Sequence, residues 1–131
     1  MKPEDIQFGI LVLRDVGGKF RLDYPFAATL PKQTLTAPQG MITDGASIPR
    51  FFWRIIGSPL SGKYRQAAVI HDAGYLGVLE WRSGTVQKNY TRQEVDDMFL
   101  LLMEALGVSW WRRRAMHWAV RWFGGGNFTT R

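Results

Sequence analysis

The amino-acid sequence predicts an α+β fold, in which a small N-terminal antiparallel sheet precedes a half made of three helices. Two patterns indicate this order. Strand-forming and turn-forming residues fill the chain up to Pro38, whereas apolar residues recur at helical spacing in the second half. The 131 residues, 46% of them hydrophobic, suffice for one core, so we expect a single domain over residues 1–131.

The predicted sheet begins with a hairpin. Residues 6–13 are rich in strand formers, residues 15–18 (Asp-Val-Gly-Gly) suit a tight turn, and residues 19–22 resume a strand. Prolines then recur, which predicts short or edge strands at residues 26–30 and 33–36.

A short helix and a longer central helix are predicted next. Residues 51–56 are apolar and are followed by Gly-Ser-Pro, which indicates a short helix that stops there. The central helix should start near residues 61–63 and run to about residue 79.

Two further helices follow. Thr91 and Glu94 have the spacing of a capping box, so a helix should start at Thr91 and end at Gly107. Ser109 can begin the last helix, and the glycines from residue 124 onward can end it. The connection formed by residues 80–90 allows the central helix and its successor to lie antiparallel.

The central helix carries the most informative residues, because His71, Asp72 and Tyr75 lie on an otherwise apolar, alanine-rich face. A histidine beside an acid can be a satisfied core histidine, a metal ligand or a general base, and all three remain open. Asp96 lies at the edge of the apolar stripe of the next helix, where an unpaired carboxylate is costly. We therefore expect Asp96 to pair with His71.

Residues 43–50, Thr-Asp-Gly-Ala-Ser-Ile-Pro-Arg, form a loop-like string before the helices. Asp44, Ser47 and the backbone offer oxygen atoms within a short distance along the chain, which suits an ion or anion cradle. The alternative is an Asx turn that Asp44 closes onto its own backbone.

Composition excludes several classes of protein. No apolar run is long enough to span a bilayer, and the N-terminus lacks the pattern of a signal peptide. Without cysteine the chain has neither disulfides nor thiolate zinc sites, and its two histidines exclude a multi-histidine metal site within one chain. A metal would have to be held by oxygen atoms.

The net charge of +6 is concentrated near the C-terminus, where the last helix combines tryptophan with arginine and has no acid. An anionic lipid surface is one partner that this composition suits, and nucleic acid is a weaker fit. The alternatives are a solvated face and an aromatic face that closes the core. The candidate contact residues are Trp111, Arg112, Arg113, Arg114, Trp118 and Arg121.

Four segments together resemble a family of small phage and prophage proteins catalogued as a domain of unknown function. They are residues 43–50, residues 67–75 (Ala-Ala-Val-Ile-His-Asp-Ala-Gly-Tyr), residues 92–96 (Arg-Gln-Glu-Val-Asp) and residues 120–124 (Val-Arg-Trp-Phe-Gly). The resemblance implies a virion or host-cytoplasm location and other phage proteins as partners.

The sequence also resembles the calcium-dependent secretory phospholipases and their cysteine-free relatives in parvovirus capsids. His71-Asp72-Ala73-Gly74-Tyr75 matches their His-Asp-x-x-Tyr motif, and Asp96 to Phe99 matches Asp-x-x-Phe on their second helix. The resemblance implies that His71 activates a water molecule, that Asp96 orients the imidazole and that Asp72 holds calcium. Tyr75 would hydrogen-bond Asp96. The sequence departs from these enzymes because a clear glycine-rich calcium loop is missing.

Two other interpretations remain. Ser47, His71 and Asp96 could form a serine-hydrolase triad, although Ser47 does not lie in a Gly-x-Ser-x-Gly turn. The main rival is a non-enzymatic phage virion or morphogenesis protein in which a buried polar network fixes the fold. That network would consist of Asp44, Arg50, His71, Asp72 and Asp96.

Overall fold

The computed structural model describes residues 5–43, 50–56 and 64–129. The strands in these ranges are β1 Gln7–Phe8, β2 Leu13–Asp15, β3 Phe20–Leu22, β4 Phe26–Thr29, β5 Thr34–Ala37, β6 Ile42–Thr43, β7 Glu80–Ser83 and β8 Val86–Gln87. The α-helices are α1 Trp53–Ile56, α2 Arg65–Tyr75, α3 Arg92–Ala105 and α4 Trp110–Phe123. Single 3-10 turns lie at Arg50–Phe52 and Gly125–Asn127. The predicted α+β order is confirmed.

The strands form two antiparallel sheets, ordered β1-β4-β5-β7-β8 and β2-β3-β6. The predicted hairpin exists as β2 and β3, with Leu13 opposite Leu22. The first predicted strand is split, however, because Gln7 and Phe8 pair with β4 in the other sheet. Residues 9–12 carry the chain from one sheet to the other.

The hairpin of β7 and β8 was not predicted, since residues 80–90 were interpreted as a plain connection. β7 adds to β5 and so brings part of the second half of the chain into the five-stranded sheet. Trp81 is the buried residue of β7, and its indole Nε1 donates to Gln33 Oε1 at 2.6 Å. Because β7 has one buried residue, its sequence lacks the alternation of apolar and polar residues by which a strand is recognised.

α2 is a buried helix at the centre of the molecule. Every residue from Ala67 to Tyr75 is buried, because α2 packs against β4 and β5 as well as α3. The helix ends earlier than predicted, since Gly77 adopts a φ of 76° and the Val78 amide turns back to the Ala73 carbonyl at 3.0 Å. The predicted start at residues 61–63 lies outside the described residues.

The three long helices run antiparallel to their neighbours. His71 contacts Phe99 and Tyr75 contacts Arg92, so α2 and α3 run in opposite directions. Asp97 pairs with His117 while Arg92 reaches the Arg121 carbonyl, which shows the same for α3 and α4. Thr91 caps α3 with the predicted capping box.

α4 buries a narrow face and exposes its tryptophans. Its buried residues are Met116, Ala119 and Val120, whereas Trp118 and Trp122 are exposed by 49% and 70%. The interpretation in which the tryptophans close the core is therefore wrong, because α4 packs against α3 through Met116, Ala119 and Val120 and leaves the tryptophans exposed. Among the described residues no helix has the length and hydropathy needed to cross a membrane.

Candidate functional site

The carboxylate of Asp96 is the centre of a buried polar cluster at the junction of α2, α3 and α4. His71 Nε2 and the Tyr75 hydroxyl each lie 2.7 Å from Asp96 Oδ1. Arg121 Nη1 donates to the other oxygen, Oδ2, at 2.9 Å. The side chains of His71 and Asp96 are fully buried. The predicted pairing of His71 with Asp96, and the predicted hydrogen bond from Tyr75, are both present.

Charge balance explains why a buried carboxylate is tolerated here. Burial by itself raises the pKa of Asp96, but the hydrogen bonds from His71, Tyr75 and Arg121 outweigh it and lower the pKa below the ordinary value for aspartate. Asp96 is therefore ionised at neutral pH. Burial and the hydrogen bond to Asp96 raise the pKa of the Tyr75 phenol.

The imidazole of His71 is fixed in orientation and in tautomer. Its ring lies between Tyr75 and Phe99, with centroid distances of 4.3 and 4.5 Å. Because an ionised carboxylate can only accept hydrogen bonds, the Nε2 atom must carry the hydrogen that is donated to Asp96. In the neutral ring, Nδ1 is then the nitrogen without a hydrogen.

Arg92 ties the cluster to the end of α4. Its Nε donates to the Tyr75 hydroxyl at 3.2 Å and lies 3.8 Å from Asp96 Oδ2. Its Nη2 donates to the Val120 carbonyl at 2.9 Å and also to the carbonyl of Arg121. Cations favour the C-terminal end of a helix, so Arg92 stabilises α4 while it adds positive charge beside Asp96.

Asp72 belongs to a second polar contact. It is buried, and its Oδ2 accepts a hydrogen bond from the hydroxyl of buried Thr43, the last residue of β6. Within residues 5–43, 50–56 and 64–129, no three acidic or histidine side chains converge to hold a metal ion. Calcium at Asp72 stays a prediction.

Residues 20–120 match the family described as "Protein of unknown function (DUF1353)". The chain belongs to this family. The DUF1353 match includes every residue of the Asp96 cluster except Arg121, which lies one position beyond it.

A protein with a similar sequence is likewise described without an activity. The chain is 37% identical over 112 residues to "Uncharacterized protein y4jT" of Sinorhizobium fredii (strain NBRC 101917 / NGR234). That alignment covers 86% of this chain but 29% of the relative, so the chain spans less than a third of that protein. No solved structure matches the DUF1353 chain.

The structure brings some of the predicted site residues together, and the side chains of others lie outside the described part of the chain. His71, Asp96 and Tyr75 come together in one cluster, and Arg121, predicted as a surface contact, also reaches it. Asp44 and Ser47 lie outside the described residues, and Arg50 is described in its backbone alone. The arrangement of Ser47 relative to His71 and Asp96 therefore lies outside the described part of the chain.

Two members of this polar region were missed, Arg92 and Thr43. Arg92 precedes Asp96 by one helical turn, so its spacing could have indicated an ion pair across that turn. Thr43 is remote from Asp72 in the sequence, and nothing in the sequence connects a strand end with α2.

Arg112, Arg113 and Arg114 differ in their surroundings on α4. Arg112 donates to the Tyr64 hydroxyl at 3.0 Å and lies over the Trp111 ring. Arg113 donates to the Val108 carbonyl at 3.0 Å. Arg114 is exposed and lines a surface groove with Trp111, Trp118 and Arg121.

Proposed function

We propose that the protein is an ester hydrolase in which His71 is the general base and Asp96 orients it. The observation that carries this proposal is the 2.7 Å contact between His71 Nε2 and an ionised, fully buried Asp96. Asp96 fixes the orientation of the imidazole ring, and a fixed orientation is one requirement for a base that removes a proton from water.

The proposed reaction is the addition of water to an ester carbonyl, with His71 as the base. Nδ1 of His71 takes a proton from a water molecule while the water oxygen bonds to the ester carbonyl carbon. The bond between that carbon and the alkoxy oxygen then breaks, and the alkoxy oxygen receives the proton from the imidazolium. Asp96 stabilises the imidazolium, and Tyr75 keeps the carboxylate in position.

Phospholipid is the proposed substrate class, and calcium is the proposed cofactor. Both come from the likeness of the His-Asp-x-x-Tyr and Asp-x-x-Phe motifs to calcium-dependent phospholipases. Asp72 would supply a carboxylate ligand, and the ion would polarise the ester carbonyl. Asp72 lies next to His71 in the sequence and is buried beside Thr43, which directly precedes the oxygen-rich residues 44–47.

The second candidate is a non-enzymatic phage virion or morphogenesis protein. It is favoured by one specific observation, the complete burial of the His71 side chain, because a working base must meet its substrate. In this role Asp96 fastens three helices together through His71, Tyr75 and Arg121. For either function we propose the host cytoplasm or a virion as the location.

One set of variants separates the two functions. Fatty-acid release from mixed phospholipid vesicles is measured with calcium and with a chelator, and unfolding temperatures are measured in parallel. Hydrolysis predicts that His71→Gln loses at least about 100-fold in rate and that the chelator stops the wild type. Asp97→Asn is the matched control, since Asp97 neighbours Asp96 but pairs with His117 at the surface. If the wild type shows no calcium-dependent hydrolysis, and His71→Gln and Asp96→Asn both lower the unfolding temperature, the cluster has the structural role and the hydrolase proposal is wrong.

A further inference from the structure

The outward side of α4 is a continuous aromatic surface. Trp110, Trp111, Trp118 and Trp122 are exposed by 64%, 50%, 49% and 70%. Phe123 and Phe51 extend it, with their ring centroids 5.2 Å apart and exposures of 50% and 58%. We call these six residues the α4 outer face. Aromatic residues exposed in such a group mark an interaction surface and not a solvated helix.

The charges around the α4 outer face are positive. Between Trp110 and Phe123 the helix has four arginines and no acid. A groove of about 610 Å³ runs among the tryptophans and is lined by Arg114, Arg121 and His117. Among the described residues, the acid beside His117 is Asp97, whose Oδ1 lies 2.9 Å from His117 Nε2. An anionic partner is therefore complementary to this surface.

Arg121 belongs to the groove and to the buried cluster at once. Its side chain is 32% exposed and lines the groove, while its Nη1 donates to Asp96 Oδ2 at 2.9 Å. A guanidinium has five N–H donors, so one arginine can bond a carboxylate on its inner side and a phosphate on its outer side. The Asp96 carboxylate and a bound phosphate would then both interact with the positive charge of Arg121.

We infer that the α4 outer face docks onto an anionic lipid surface and that Arg121 couples this docking to Asp96. A tryptophan-rich helix with arginines lies in the plane of the membrane interface, with its rings among the headgroups and its cations at the phosphates. This inference deepens the proposed function by naming the surface on which its substrate would be met. Docking is nevertheless measured without hydrolysis, so either can fail while the other holds.

The docking test compares vesicles that differ in headgroup charge. The full-length protein is titrated, in the presence of chelator, with phosphatidylglycerol vesicles and with phosphatidylcholine vesicles, and binding is followed by sedimentation. We expect binding to the anionic vesicles that weakens as salt rises. Trp122→Ala should weaken it, whereas Val86→Ala, which removes an apolar side chain exposed by 67% on β8, should not. Equal binding to both vesicles, or binding to a nucleic acid in preference to either, would overturn the inference.

The coupling test uses the competition for Arg121. Arg114→Gln should weaken binding to anionic vesicles about fivefold, as expected for one cation at a charged surface. Arg121→Gln should weaken it less, because Asp96 already draws on that charge. Asp96→Asn should bind anionic vesicles more tightly than the wild type, and adding Arg121→Gln should cancel the gain. An equal loss for both arginines, or unchanged binding of a folded Asp96→Asn, would show that Arg121 does not couple the two sites.

Discussion

Val95 occupies the space in which Gly74 would carry a side chain. A Cβ atom at Gly74 would lie 2.6 Å from Val95 Cγ1 and 2.9 Å from Cγ2, which is closer than such atoms can approach. α2 and α3 therefore meet at a distance that only glycine permits at residue 74. The residues on either side of this contact, His71 and Tyr75 on α2 and Asp96 on α3, depend on that distance for their hydrogen bonds.

Gly74→Ala is expected to lower the free energy of unfolding by roughly 1 to 3 kcal/mol, since the added methyl group overfills a closely packed contact. Denaturant unfolding measures the effect. Val95→Ala removes both Cγ atoms and provides the matched partner for a double-mutant cycle. If Gly74→Ala costs as much in the Val95→Ala background as in the wild type, the clash with Val95 is not its cause.

Asp96→Asn should lower the free energy of unfolding at neutral pH by roughly 3 kcal/mol, because it removes the charge that the buried cluster is built around. The pKa of Asp96 is lower in the folded state, so its stabilisation is complete above the ordinary carboxyl pKa and is lost as pH falls through the folded value. Wild type and variant should therefore converge in acid. Asp97→Asn, which removes a carboxylate from the exposed pair with His117, should lower the free energy of unfolding by less than about 1 kcal/mol. An equal loss for Asp96→Asn and Asp97→Asn would contradict the assignment of Asp96 as the centre of the buried cluster.

Tyr75→Phe is expected to cost about 1 to 2 kcal/mol at neutral pH, since Asp96 loses a donor and Arg92 loses an acceptor. Burial and the contact with Asp96 raise the pKa of Tyr75, so its stabilisation is full below the ordinary tyrosine pKa of about 10 and is lost at higher pH. Unfolding measured from neutral to alkaline pH should show the difference between wild type and variant shrinking above that value. Tyr24→Phe, at a residue exposed by 63%, serves as the control and should change the free energy of unfolding at neutral pH by less than about 0.5 kcal/mol.

Thr43→Val keeps the shape of the side chain but removes the hydroxyl that donates to Asp72. We expect a loss of roughly 1 to 3 kcal/mol in the free energy of unfolding, because a buried carboxylate loses a hydrogen bond. Thr43→Ser restores the donor and should recover most of that loss in a thermal or denaturant melt. Serine behaving like valine would mean that the methyl group, and not the hydroxyl, matters at this position.

The sequence allowed the helices and the central pairing to be predicted because both depend on local signals. The capping box at Thr91, the glycine after α3 and the helical spacing of Val95 and Phe99 all act within one helix. His71 and Asp96 could be paired because each is costly to bury alone, so each needed the other.

Contacts between distant segments could not be predicted in the same way. Arg121 on Asp96, Thr43 on Asp72 and the pairing of β7 with β5 join elements that the sequence separates. The exposure of the α4 tryptophans could not be predicted either, because helical spacing identifies a face of a helix but not what packs against it. The neighbouring face, with Met116, Ala119 and Val120, packs closely and takes the buried position.

The position of Arg121 late in the chain also constrains how the molecule can assemble. While a ribosome is still synthesising α4, α2 and α3 can already meet, but the carboxylate between them lacks the cation that later donates to its second oxygen. Burying that carboxylate early is costly, so the helix pair gains its full stability only once α4 has emerged and docked. Nascent chains arrested before residue 110 should accordingly remain open to proteases, and protection should appear as a late, cooperative step of synthesis.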